Sequence, residues 1–102
     1  MTDFIPVAHT RELPPGKMKR VIVGNERILL VNVAGEYFAT QDTCSHEDAS
    51  LATGSLHGDL VKCPLHGSRF NVRTGQVLDE PAEENLKTYP VKIDGERICV
   101  RL

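Results

Sequence analysis

The chain has 102 residues, room for one domain around one small core. With two Tyr, three Phe and no Trp, that core must rest on Val, Ile and Leu. A net charge of −2 gives no basis for binding nucleic acid, and no apolar run approaches the ~20 residues of a membrane span.

Residues 1–6 lack a basic stretch followed by an apolar one, so secretion is not expected and the cytoplasm is the expected compartment. Arg11-Glu12-Leu13, ahead of Pro14-Pro15-Gly16, allows at most a helical turn. Met18–Val23 and Glu26–Val33 read as strands joined by Gly24-Asn25, a dipeptide suited to a tight hairpin. Ala34-Gly35-Glu36 then turns the chain into Tyr37-Phe38-Ala39. Residues 59–62 and 69–72 read as further strands, and Arg73-Thr74-Gly75 turns toward Gln76-Val77. Residues 83–85 could form another helical turn. Two final strands, 86–93 and 96–102, flank Asp94-Gly95, and Pro90 within the first of them demands an edge or a bulge. Short strands between turn residues, with no repeat and no linker, indicate an all-β fold.

Between these strands lie two short groups of metal-ligand residues. Cys44-Ser45-His46 is followed, after sixteen intervening residues, by Cys63-Pro64-Leu65-His66. Each arm offers one thiol and one imidazole. Two Cys and two His also make a common tetrahedral zinc set, but zinc modules usually pair Cys with Cys and His with His. Here each arm is mixed. Gly54, Gly58 and Gly67 suit turns or close backbone approach around the arms. Cys99, in Arg97-Ile98-Cys99-Val100, reads as a small buried hydrophobe. His9 and His57 read as surface residues.

The arms, with Gln41-Asp42-Thr43 before the first, Gly67 and Phe70 after the second, and Thr74-Gly75 and Pro81 beyond, resemble the Rieske motif. The resemblance covers essentially the whole chain. It implies one [2Fe–2S] cluster, with Cys44 and Cys63 on one iron and His46 and His66 on the other. It also implies an antiparallel β-sandwich with an inserted cluster-binding subdomain at about 42–81, within a single domain 1–102. Two ferric ions, two sulfides and two thiolates sum to zero charge, whereas four thiolates give −2. Neutral imidazole ligands therefore raise the potential, to roughly −150 to +300 mV against about −400 mV for plant-type ferredoxins.

Within the family, the chain is most similar to stand-alone ferredoxins of multicomponent ring-hydroxylating oxygenases. Respiratory members carry an extra cysteine in each arm, where this chain has Ala49 and Leu65. Oxygenase subunits add a mononuclear iron domain for which 102 residues leave no room. The resemblance implies an electron carrier, not an enzyme. Its partners would be a flavin-containing NAD(P)H-dependent reductase and a terminal Rieske oxygenase, and the carrier itself a monomer. A small subunit of NAD(P)H nitrite reductase and a structural zinc module are the alternatives. Glu47, Asp48, Leu65 and Gly67 would form the docking tips. The acidic residues Asp42, Glu47, Asp48, Asp59, Asp79, Glu80, Glu83 and Glu84 could surround the cluster. Higher-potential members place Ser and Tyr hydroxyls near the cluster after the second arm; this chain has Ser68 but Phe70 there, implying the lower part of the Rieske range.

Overall fold

The computed structural model describes residues 3–45 and 48–102. Its strands are β1 (Ile5–His9), β2 (Met18–Val23), β3 (Glu26–Val33), β4 (Glu36–Gln41), β5 (Ser55–His57), β6 (Leu60–Lys62), β7 (Arg69–Asn71), β8 (Thr88–Tyr89), β9 (Val91–Asp94) and β10 (Arg97–Val100). Among the described residues they form three antiparallel sheets, in the orders β1-β10-β9, β2-β3-β4-β8 and β5-β6-β7. Helix among the described residues is confined to two 3₁₀ turns, Thr10–Glu12 and Leu51–Thr53. The all-β expectation holds.

The central sheet is covered on both faces, and β3 shows why. Residues 28–33 are all buried, yet successive strand side chains point to opposite faces. Ile28 and Leu30 join Leu13, Val21, Ala39, Tyr89, Ile98 and Val100 in one apolar cluster, beneath the β1-β10-β9 sheet. Leu29, Val31 and Val33 join Leu51, Val61, Phe70, Val72, Ala82, Leu86 and both arm cysteines in the other. A continuous apolar run is what a strand buried on both faces requires. Asn32, the polar residue within it, is satisfied: its Nδ2 donates to the Leu13 carbonyl at 2.8 Å, and its Oδ1 accepts from Gly35 N at 2.8 Å.

The β2–β3 hairpin turns at Gly24-Asn25, as the sequence implies, with Val23 paired to Glu26. Between β3 and β4 the turn residues are Ala34 and Gly35, both at positive φ (52° and 94°). That twist matches the flanking strands, although Ala34 has a Cβ to accommodate there.

Several expectations are corrected. Residues 86–93 are not one strand: Thr88 and Tyr89 pair with β4, and Val91–Asp94 pairs with β10. Pro90 lies at the hand-over, where its missing N–H leaves no gap in either ladder. The last hairpin turns at Gly95-Glu96 rather than Asp94-Gly95, since Asp94 pairs directly with Arg97. Asp59 precedes its strand, and Gln76-Val77 contributes a single bridge, Phe70 to Val77. Residues 83–85 form no helical turn. Strand β1 has no counterpart in the sequence reading. It pairs with β10 at the far end of the chain and bulges between Pro6 and Ala8.

Candidate metal centre

Both arms occupy loops of one design. The Cys44 N–H donates to the Ala49 carbonyl at 2.9 Å, and the Cys63 N–H donates to the Ser68 carbonyl at 2.8 Å. Each cysteine therefore sits at the neck of a loop closed by its own amide, five residues ahead. Just outside the necks, Thr43 bridges to Ser50, and Lys62 pairs with Arg69 across β6 and β7. The necks hold the thiols inward: Cys44 is 3% exposed and Cys63 2%, in the same apolar cluster. No disulfide joins any of the three cysteines.

The apex of the second loop faces the other way. Pro64, Leu65 and His66 are exposed, Leu65 to 62%. The apex turns at Gly67, where φ is +79° and a non-glycine residue is strained. Behind it, Gly54 packs so closely on the Lys62 carbonyl that a Cβ would collide with it. That contact seats the first loop's trailing end against the strand feeding Cys63. His46 and Glu47 lie outside the described residues.

The first loop is braced by Asp42, which is fully buried. Its Oδ2 accepts from Ser50 Oγ at 2.6 Å and its Oδ1 from Ala52 N at 3.0 Å, while its carbonyl accepts from Leu51 N at 2.7 Å. Asp42 therefore points into the protein and adds no charge to the surface around the site. Other acidic residues expected around the site are paired: Asp59 with Arg73 at 3.4 Å, Asp48 with Arg27 at 3.6 Å, and Asp79 with Arg69 at 2.6 Å. The hydrogen bond from Arg69 holds the Asp79 carboxyl below the usual carboxylate range, and the same contact raises the Arg69 guanidinium. Glu80, Glu83 and Glu84 are exposed.

Residues 79–85 run beside both arms. Ser68, 1% exposed, accepts from Ala82 N at 3.1 Å, and Ser45 Oγ donates to the Glu84 carbonyl at 2.6 Å. The Glu80–Pro81 peptide bond is cis. Phe70 is fully buried and packs in the same cluster as the two cysteines. The remaining candidates lie elsewhere. His57 is exposed on β5, Cys99 is buried on β10, and His9 caps the first 3₁₀ turn by accepting from Arg11 N at 3.2 Å. Sequence reasoning missed the roles of Asp42 and Ser45. Neither departs from ordinary surface composition, and only the pairing of each with a distant backbone group reveals it.

The donor set suits an iron–sulfur group. Two buried thiols in apolar surroundings would be inert as free side chains. Here they share one cluster of side chains at two matched necks, with an imidazole on the exposed apex ahead of one of them. Among the described residues, no helix is long and apolar enough to cross a membrane.

The Rieske [2Fe-2S] domain model matches residues 3–90. The chain is 47% identical over 96 residues to the ferredoxin component of biphenyl 2,3-dioxygenase from Rhodococcus jostii (strain RHA1), covering 94% of this chain and 90% of that one. It is 43% identical over 103 residues to the ferredoxin component of the naphthalene 1,2-dioxygenase system of Pseudomonas aeruginosa, covering 100% and 99%. One chain of a solved complex of reduced oxygenase and oxidised ferredoxin in carbazole 1,9a-dioxygenase superposes with a TM-score of 0.91 at 34% identity, covering 96% of this chain and 92% of that one. Fold, matched loops and relatives converge: the chain belongs to the Rieske [2Fe–2S] domain family, among its ferredoxin components, as an electron carrier with one [2Fe–2S] cluster.

Proposed function

We propose that the chain is a monomeric cytoplasmic shuttle. It takes single electrons from a flavin-containing NAD(P)H-dependent reductase and delivers them to a terminal Rieske oxygenase that hydroxylates aromatic rings. Cys44 and Cys63 would hold one iron of the cluster, and His46 and His66 the other, within a unit spanning about 42–81 of a single domain 1–102. When bound, the cluster supplies one-electron redox chemistry in the Rieske range. The carrying observation is the contrast between the loop necks, with both thiols buried, and the second apex, where His66 and Leu65 are exposed.

That contrast gives the chain's own residues two tasks. The necks, braced by Asp42 and by the two cysteine amides, fix the thiols and keep water from them. The apex presents an imidazole edge to a partner, with Leu65 as an apolar contact beside it. Such redox encounters are small, below about 1,200 Å², which suits a loop tip. The exposed Glu80, Glu83 and Glu84 lie on the segment tied to both arms and favour a basic partner surface.

The test is EPR on the dithionite-reduced purified protein, with iron and acid-labile sulfide assayed on the same sample. A Rieske-type signal with two irons and two sulfides per chain is expected. It should disappear in Cys63→Ser and His66→Ala. A colourless, EPR-silent protein holding stoichiometric zinc would overturn the shuttle.

A further inference from the structure

Between Leu78 and Leu86 the chain crosses beside both ligand loops with little to hold it. The flanking bonds are ordinary: Leu78 N donates to the Arg69 carbonyl at 2.9 Å, and Leu86 N to the Gly75 carbonyl at 2.7 Å. Within residues 79–85, no backbone group bonds to the backbone of another described residue. The strap is held instead by side chains. Asp79 takes two bonds from Arg69, at 2.6 and 3.2 Å, and the Asn85 side chain accepts from Val77 N at 3.0 Å. The strap's backbone is held by two serines, one from each loop. Ser68, two residues beyond His66, accepts the Ala82 N–H, and Ser45, between Cys44 and His46, donates to the Glu84 carbonyl at 2.6 Å. Ala82, between the two anchor points, is 3% exposed and packs in the apolar cluster that contains Cys44 and Cys63.

We propose that Ser45 is a positioning residue, a latch whose hydroxyl holds the 79–85 strap closed over the two thiols, and that opening of this strap governs how fast the cluster is lost. The inference rests on the ligand assignment made above. A segment without ladder hydrogen bonds opens on its own, below the free energy of global unfolding. Lifting it exposes Ala82 and uncovers the apolar group around both cysteines. Ser68 is buried beneath the strap, whereas Ser45 holds it from the first arm. The Ser45 bond is therefore the one that can release without disturbing the core.

The experiment uses purified holoprotein in four forms: wild type, Ser45→Ala, Ser45→Thr and Glu84→Gln. Bleaching of the visible absorption in excess EDTA gives the rate of cluster loss. Hydrogen exchange by mass spectrometry on peptides covering 79–86 and 26–33 separates strap opening from global unfolding. Ser45→Ala should speed both bleaching and exchange of 79–86 by about three- to tenfold, the worth of one neutral hydrogen bond, with 26–33 unchanged. Ser45→Thr, which keeps the hydroxyl, should restore wild-type rates. Glu84→Gln should leave them unchanged, because the accepting group is the backbone carbonyl. Wild-type rates in Ser45→Ala overturn the latch, as does faster exchange in both peptides, which would mark a general loss of stability. A wild-type protein without the visible bands fails the ligand assignment itself, and the latch with it.

Discussion

Removal of the Asp42 carboxyl group should free the first ligand loop while leaving the β frame intact. Asp42 is fully buried and accepts two bonds, from Ser50 Oγ at 2.6 Å and Ala52 N at 3.0 Å. Hydrogen bonds to a charged acceptor contribute about 1.5–3 kcal/mol each. At the lower bound, Asp42→Ala forfeits about 3 kcal/mol, or roughly a 150-fold increase in local opening. Asp42→Asn keeps an oxygen for the Ala52 amide and can donate to a turned Ser50 hydroxyl. Neutral bonds are weaker, so a cost of about 1–2 kcal/mol, or roughly 5- to 30-fold, is expected. The assay is hydrogen exchange by mass spectrometry on peptides covering 42–53, with 26–33 as the reference for global unfolding. The amides of Cys44, Leu51 and Ala52 report directly, because each is bonded within this brace. Less than fivefold acceleration in Asp42→Ala would refute the brace, as would equal effects of the two substitutions.

Three further outcomes are expected. Ala34→Asn should raise stability by about 0.5–1 kcal/mol, because Ala34 sits at φ 52° in a turn whose twist Asn tolerates better; an unchanged or lower thermal midpoint would contradict this. Tyr89 ionises above its ordinary value of 10.0, through burial first and then the neighbouring Glu26 carboxyl, 3.2 Å from its hydroxyl. A raised folded pKa means stability that is fully present below pH 10.0 and lost as pH rises through the folded value. Tyr89→Phe should therefore flatten the alkaline limb of the stability–pH curve, and identical limbs in both proteins would exclude Tyr89 as its source. Ser68→Ala leaves the buried Ala82 N–H without its acceptor, costing about 1–3 kcal/mol. If the Ser68 hydroxyl also donates to a cluster sulfur, the reduction potential falls as well; a redox titration that finds it unchanged removes that bond.

Sequence made the centre of the fold legible and its margins obscure. Strands β2 and β3 are plain because a turn dipeptide separates an apolar run too long for one face. The arms are plain because mixed thiol–imidazole pairs are rare. By contrast, β1 contains Pro6 and finds its partner, β10, across almost the whole chain, so no local pattern marks it. Strand β5 is three residues between glycines. Asp42 reads as surface charge because burial of a carboxyl group depends on donors eight and ten residues away. The strap escapes for the same reason, since its anchors are two serines that could sit in any loop.

Strands β4 and β8 lie side by side, with Thr40 opposite Thr88 and Ala39 opposite Tyr89. Everything between them, the β5-β6-β7 sheet, both cysteine loops and the strap, leaves and re-enters the frame through this one doorway. Gln41 N donates to the Lys87 carbonyl at 2.8 Å, and Lys87 N returns a 2.8 Å bond to the Gln41 side chain. The excursion's two ends already touch, and its Leu51, Val61, Phe70 and Val72 cover Leu29, Val31 and Val33 of β3, so it shares a core with the frame while its loop tips stand clear of it. A tip such as Pro64-Leu65-His66, exposed beyond that shared core, is the part whose shape can change without uncovering β3. Freedom of this kind lets a carrier acquire new partners by altering its tip while its foundation stays the same.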